Sequence, residues 1–364
     1  MEFLGTVIPD WQIRGSKLLK NIYEDDLQPA SLDLRIKNDA FMYQVAGVPS
    51  LGKGFEFQAF IAQYTLNKFL PLGEEREPQY TLIPGGIYIV ELDVEFCLTE
   101  EICASFDTKS SLGRIDVHCL VIGENCSSFD QLPRGYTGKV YGIILPNSFP
   151  VRPTSFTPIV QVRLEKHPRS FLGESYLASV HHNQYLLEPG QLPEFNEQGL
   201  ILHLDLTGNP GPLVGVSCGK PINLNASGSL DPRAFFREKL LDSLGNLLLE
   251  PGEFLLTKTH EKVSVPVTFC ATMSAFLREH GDIRWHYAGF IDPGFGRDLD
   301  SSGNTLVCEV RNLTRQPIIL ANHQPIGVLR FQKLTEMPEY PYGFRSNYKK
   351  QREIKLAKYF KDFD

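Results

Sequence analysis

The chain has 364 residues with 42% hydrophobic content, enough for two compact domains, each with its own core. A formal charge of -7 and a pI near 5.8 exclude a general nucleic-acid binder, because a phosphate backbone is gripped by broad basic surfaces, whereas a local basic pocket for one nucleotide stays open. Met1 to Pro9 lacks a basic region followed by a long apolar run, and no apolar stretch is long enough to cross a bilayer, so a soluble cytoplasmic protein with no membrane partner is expected.

Taken in order, Ile8 to Leu19 reads as a short helix, and Ser31 to Arg35 alternates in the manner of a half-buried strand. Pro84-Gly85-Gly86 opens a run from Ile87 to Phe96, rich in β-branched and aromatic residues and bounded by turn residues, which predicts a strand. Lys109-Ser110-Ser111-Leu112-Gly113-Arg114 follows, placing two cations, two hydroxyls and a glycine between strand-like runs. Such a segment suits a polyanion: Arg offers a planar fork of donors, Lys a point charge, the hydroxyls neutral donors, and Gly113 lets backbone N–H groups approach a phosphate. Ser-Ser-Leu-Gly is equally ordinary turn chemistry. Val117 to Ile122 and Lys139 to Leu145 are further runs of strand length, and frequent turn signals between short runs point to an all-β barrel or sandwich. Later, Asp231-Pro232 starts and Gly245 stops a predicted helix from Pro232 to Leu244, with Phe235, Phe236, Leu240, Leu241 and Leu244 as its apolar face. Beyond Phe331 the chain turns polar and aromatic, a tail that is either a surface appendage or a lid.

Seven cysteines form no C-x-x-C pair, and the odd count fits reduced, mostly buried thiols. Zinc-dependent cytidine deaminases need H-x-E followed by P-C-x-x-C, and neither half is present, so no zinc is expected. His118 beside Cys119, and the pair His181-His182, read as structural or surface residues.

The second half repeats the first. Leu82-Ile-Pro-Gly-Gly-Ile-Tyr88 corresponds to Leu249-Glu-Pro-Gly-Glu-Phe-Leu255, with Pro84 and Pro251 offset by 167. Met273-Ser274-Ala275-Phe276-Leu277-Arg278 falls on Lys109 to Arg114 at an offset of 164, and Asn312 on Asn147 at 165. The chain therefore divides into module one (1–170), module two (171–335) and a tail (336–364), with residues 168 to 185 read as connector.

Lys109 to Arg114 resembles the phosphate-binding motif of the dUTPase and dCTP deaminase superfamily, and other stretches follow in the family's order. Gln28-Pro-Ala-Ser-Leu-Asp-Leu-Arg35 resembles its early strand, Ala288-Gly-Phe-Ile-Asp-Pro-Gly-Phe-Gly296 its nucleoside-binding hairpin, and Leu306-Val-Cys-Glu-Val-Arg-Asn312 the strand carrying the deaminase's catalytic glutamate. The likeness is to the long, two-module bacterial dCTP deaminases. The resemblance implies a mainly β fold: two tandem dUTPase-like distorted β-barrel (β-clip) modules with a few short helices. It also implies that the two copies have diverged. Module one keeps Lys109, Ser110, Ser111 and Arg114 but has Leu132-Pro-Arg-Gly-Tyr136 for the hairpin and no carboxylate near Ile143, whereas module two keeps Asp292 and Glu309.

In this superfamily, sites lie between subunits. A composite site is accordingly expected, with Lys109, Ser110, Ser111 and Arg114 on a triphosphate, and Asp292 and Glu309 at the sugar and base. A rival arrangement keeps the reacting centre in module two, with Ser274 and Arg278 beside Glu309. The family closes a tail over the nucleotide, which here implies Tyr342, Tyr348 and Gln351, with Asn347 where the family has Lys.

The implied reaction is hydrolytic deamination of dCTP to dUTP and ammonia, with Glu309 as the proton shuttle. An alternating strand leaves two orientations for Glu309, outward into solvent or inward onto a site, and the resemblance selects the second. Asp292 either simply initiates a turn or faces the deoxyribose and a water. dUTP pyrophosphatase activity, alone or combined with deamination, is the alternative, and a catalytically inactive nucleotide-binding regulatory protein is the third reading. Mg2+ carried on the triphosphate, dTTP as feedback inhibitor and a homo-oligomer with module–module sites complete what the resemblance implies.

Overall fold

From Val90 onward, side chains along Tyr88–Cys97 alternate between buried and half-buried, the period of a strand with one face on a core. That strand sits at the centre of a six-stranded sheet in a computed structural model that describes residues 5–52, 54–70, 80–155, 157–275, 283–285, 288–297, 303–343, 348 and 351–362. The sheet runs Thr65–Phe69, Met42–Val45, Tyr88–Cys97, Thr137–Pro146, Val117–Gly123, with Leu19–Lys20 added on Tyr88–Cys97. A five-stranded sheet lies against it, in the order Leu27–Gln28, Ser31–Arg35, Pro158–Lys166, Ile102–Thr108, Gln131–Leu132. Phe96 and Phe106, one from each sheet, meet edge to face at 5.7 Å within their shared core.

Module two repeats the plan in one curled ten-stranded sheet, because Gly199–Asp205 pairs with both Phe254–Thr259 and Pro325–Lys333. Duplication is visible in the hydrogen-bond register. Ile102–Thr108 pairs with Pro158–Lys166 as Phe269–Ala275 pairs with Pro325–Lys333, every residue displaced by 167. This corrects the 164 offset read from the sequence. Ser274 is the counterpart of Asp107, in mid-strand opposite Val328, and the counterpart of Lys109 to Arg114 is 276–281, outside the described residues.

Three other expectations change. The first helix is Asp10–Gly15, and Leu19 leaves it to pair with Phe96. The stretch read as connector contains the helix Glu174–Gln184, whose Leu177 and Val180, at i and i+3, are buried in the second core. The expected helix from Pro232 to Leu244 is a single 3-10 turn, Pro232–Ala234, capped by Asp231, after which Phe236–Glu238 joins Leu213–Gly215 as a strand. Tertiary packing outweighs helix pattern there, since Phe235 and Phe236 close on Phe149 and Phe360, leaving Leu240 and Leu244 in solvent.

The modules share structure. Leu213, Phe254, Leu256 and Val307 of module two belong to the first module's core, together with Ile354, Leu356, Tyr359 and Phe360 of the tail. Residues 6 to 8 are stitched to both copies of one strand: Ile8 N–H donates to Leu164 O (3.0 Å), and Thr6 N–H to Lys333 O (2.9 Å). Among the described residues all seven cysteines are free, and no helix is long and apolar enough to cross a membrane.

Candidate active site

Lys109 leaves the Ile102–Thr108 strand in extended conformation, and Ser110–Gly113 makes one helical turn. The turn is clamped at its base, where Thr108 Oγ1 donates to Cys119 O (3.1 Å) and accepts from Cys119 N–H (3.0 Å). Leu112 anchors it in the core. Ser110, Ser111 and Arg114 therefore project from a fixed support, the ordered form of the polar segment read from the sequence.

On the opposite wall, Phe290–Ile291 pairs with Ala271–Thr272 of the Phe269–Ala275 strand and turns through Asp292-Pro293-Gly294. Gly294 has φ +88, and a Cβ there would meet Tyr342 N at 3.3 Å, so the tail can cross closely. It does: Tyr342 N–H donates to Pro293 O (2.8 Å), and its ring packs on Phe295 at 5.2 Å. Module one holds this hairpin from behind. Gly289 N–H donates to Asp107 Oδ2 (2.6 Å), and the Arg163 guanidinium lies 4.1 Å from the Phe290 ring centre.

Glu309 lies opposite Leu256 on Val307–Asn312 and is 2% exposed, which decides between its two orientations: it faces inward. Two residues on, Arg311 forms an ion pair with Asp116 of module one, and Ser148 Oγ donates to the same Asp116 Oδ2 (2.5 Å). That contact fixes the Val307–Asn312 strand against the residues that follow Arg114.

These elements enclose one cavity of about 310 Å³. Lys109, Ser110, Ser111 and Arg114 line it from module one, Asp292 and Glu309 from module two, and Tyr342, Tyr348 and Gln351 from the tail. Neighbouring Met273 reaches the wall while Ser274 does not, and Arg278 lies outside the described residues. Sequence reasoning missed Asp26, Asp33, Arg35, Gln161 and Lys358 on the same wall. Asp33 pairs with Lys109 and accepts from Gln161 Nε2 (3.0 Å), while Asp26 takes both Arg35 donors at 2.6 and 2.8 Å. Three of the five lie in or beside the stretch likened to the early strand, so a signal existed there without an assigned role.

Charge is tightly arranged. Burial pushes the Asp292 carboxyl up to about 6 against the pull of Arg163, and its shielded Oδ1 has no hydrogen-bond partner among the described residues. Burial also raises the half-buried Asp107 to about 8, opposed by the Gly289 N–H. The Arg114 guanidinium lies 3.8 Å from the Tyr348 ring centre and donates to Lys355 O (2.5 Å) and Gln351 Oε1 (3.1 Å). Gln351 in turn donates to Thr305 O (2.7 Å), so the tail bridges the two modules. Beyond Gln351 it is a strap buried in the first core and not a surface appendage.

The register also shows why module one cannot supply the other half. Ala104 faces Leu132 as Ala271 faces Ile291, which puts Pro133 at the place of Asp292. Gly135 and Gly294 keep the same positive φ, +69 and +88, so the turn survives without its carboxylate.

Residues 8–168 match the family model described as the 2'-deoxycytidine 5'-triphosphate deaminase (DCD) N-terminal domain, and residues 173–360 that of the C-terminal domain. A "dCTP deaminase, dUMP-forming" of Streptomyces griseus subsp. griseus is 36% identical over 121 residues, 32% of this chain and 60% of the relative. One from Beutenbergia cavernae is 37% identical over 98 residues, 26% of this chain and 47% of that one. The chain thus spans at most about 60% of the length of these curated relatives. The crystal structure of 2'-deoxycytidine 5'-triphosphate deaminase from Agrobacterium tumefaciens superposes with a TM-score of 0.83 at 30% identity, covering 93% of this chain and 100% of that one. With both family models matched in tandem around one shared cavity, the chain belongs to the 2'-deoxycytidine 5'-triphosphate deaminase family.

Proposed function

We propose that the cavity deaminates dCTP hydrolytically to dUTP and ammonia, with Glu309 as proton shuttle. The observation that carries this reading is a buried glutamate that lines one cavity together with Lys109, Ser110 and Ser111, a carboxylate and phosphate-type donors in a single site. Glu309 takes a proton from water as its oxygen bonds to C4 of cytosine, passes it to the ring nitrogen, and delivers the second proton to the amine as the C4–N bond breaks. Ser110, Ser111 and Lys109 hold phosphate oxygens, and Tyr342, Tyr348 and Gln351 of the tail exclude water from the reacting centre.

The cavity's carboxylates are Asp25, Asp26, Asp33, Asp292 and Glu309, of which Asp26 and Asp33 are already ion-paired. Among the described residues no group of three or more His, Cys, Asp or Glu is placed to hold a metal ion. This donor set fits Mg2+ carried in on the triphosphate, where the ion neutralises phosphate charge.

Glu309→Gln is expected to lower ammonia release from dCTP by roughly 10²–10⁴-fold while dCTP still binds. The check is product analysis by chromatography alongside calorimetric titration. Unchanged turnover in that variant excludes the assignment.

A second reading is favoured by the Asp292 carboxyl, whose elevated pKa of about 6 suits a base near neutral pH. In it Asp292 also activates a water that attacks the α-phosphorus of dUTP, expelling pyrophosphate and leaving dUMP. The relatives' designation as dUMP-forming supports that reading. Pyrophosphate formed alongside ammonia, and lost selectively in Asp292→Asn, distinguishes it from deamination alone.

A further inference from the structure

Four basic side chains among the described residues line the cavity: Arg35, Lys109, Arg114 and Lys358. Three are already engaged, Arg35 by Asp26, Lys109 by Asp33, and Arg114 by the Lys355 carbonyl and Gln351. Lys358 is different. Its backbone is fixed, because its carbonyl accepts from Gly228 N–H (2.8 Å) and from the Ser227 hydroxyl (3.3 Å), and the next residue, Tyr359, is 1% exposed. Its ammonium has no carboxylate, carbonyl or hydroxyl partner among the described residues and only grazes the Tyr359 ring at 5.8 Å.

Burial, together with the Lys109 ammonium and against the pull of the Asp33 carboxylate, holds the Lys358 pKa below its ordinary value. A half-buried ammonium with no hydrogen-bond acceptor among the described residues, close to a second ammonium, is disfavoured. A polyanion supplies the acceptor that Lys358 lacks and can bridge it to Lys109 as it lies on Ser110 and Ser111.

We propose that Lys358 is a triphosphate-binding residue of this site, brought to the cavity by the far end of the strap, where it sets the preference for a triphosphate over a monophosphate. The proposal rests on the nucleotide reading above in its choice of ligand, and on the cavity geometry in its choice of residue. Because the strap contacts Arg114 through Lys355 and the cavity through Lys358, one bound triphosphate secures the segment in place.

The test uses the full chain with Lys358→Met, which keeps the length and packing of the stem, and Lys358→Arg, which keeps the charge. Affinities for dCTP, dCMP and inorganic tripolyphosphate are measured by calorimetry with Mg2+, and kcat and KM with dCTP. Loss of one charge-assisted contact predicts roughly a tenfold or greater weakening of dCTP and tripolyphosphate in Lys358→Met. dCMP affinity and kcat should stay near wild type, and Lys358→Arg should restore most of the binding. Unchanged dCTP and tripolyphosphate affinity in Lys358→Met overturns the proposal. So does a loss that extends equally to dCMP and is not rescued by Arg, which marks a packing role. If wild type binds tripolyphosphate through Lys358 yet releases no ammonia from dCTP, the deaminase reading fails while this assignment stands.

Discussion

Asp292 and Arg163 set the ionic character of the site residue by residue. Arg163 is fully buried, donates to Thr272 Oγ1 (3.0 Å), and leaves Nε and Nη2 without partners among the described residues. Its charge opposes the upward push of burial on both Asp107 and Asp292. Asp292 has a folded pKa of about 6 against an ordinary value of 3.8, so its favourable contribution to stability is complete below pH 3.8 and is lost as pH rises through about 6. At pH 7 the ionised form opposes folding. Asp292→Asn is accordingly expected to stabilise the protein by about 1–2 kcal/mol at pH 7, after allowance for partial exposure, and to have no effect below pH 4. Thermal unfolding of both proteins across that range is the measurement, and a difference that grows towards low pH contradicts the assignment. Arg163→Met should move the midpoint of this pH-dependent difference upward, because the Asp292 anion loses its stabilising cation.

At the scale of elements, the hairpin is held by a residue in the other module. Asp107 accepts the Gly289 N–H at 2.6 Å, so Asp107→Ala should raise the KM for dCTP several-fold and lower stability by about 1–2 kcal/mol, while Asp107→Asn, which keeps an acceptor, stays close to wild type. Steady-state kinetics with thermal melts decide this, and equal effects of Ala and Asn exclude the hydrogen bond as the cause. Elements whose pattern is local were legible in the sequence. Ser31–Arg35 matches its predicted bounds, although both of its faces are buried and not one, and Tyr88–Cys97 lies within a residue of its own, because alternation there records one buried face. The stretch from Pro232 was misread because Phe235 and Phe236 are committed to Phe149 and Phe360, partners far away in sequence that no local period encodes. For the same reason the motifs of the site were visible but Lys358 was not. It follows the recognised tail residues by seven positions and reaches the cavity only because Tyr359 and Phe360 are buried behind it.

For the molecule as a whole, the cavity takes its two halves from one chain. A chain carrying Ser110→Ala with Ser111→Ala and a chain carrying Glu309→Gln should therefore fail to restore activity when refolded together, since each builds a cavity with one defect. Recovery on mixing would show that the halves come from different chains. The duplicated strands keep a constant displacement of 167, yet Pro133 stands in the place of Asp292. When identical subunits assemble from a single short gene, every substitution is inherited by all interfaces at once, and none can be spared. Joining two copies end to end makes each interface separately mutable. One junction then stays under selection for turnover while the other drifts, free to be reshaped without a lethal intermediate.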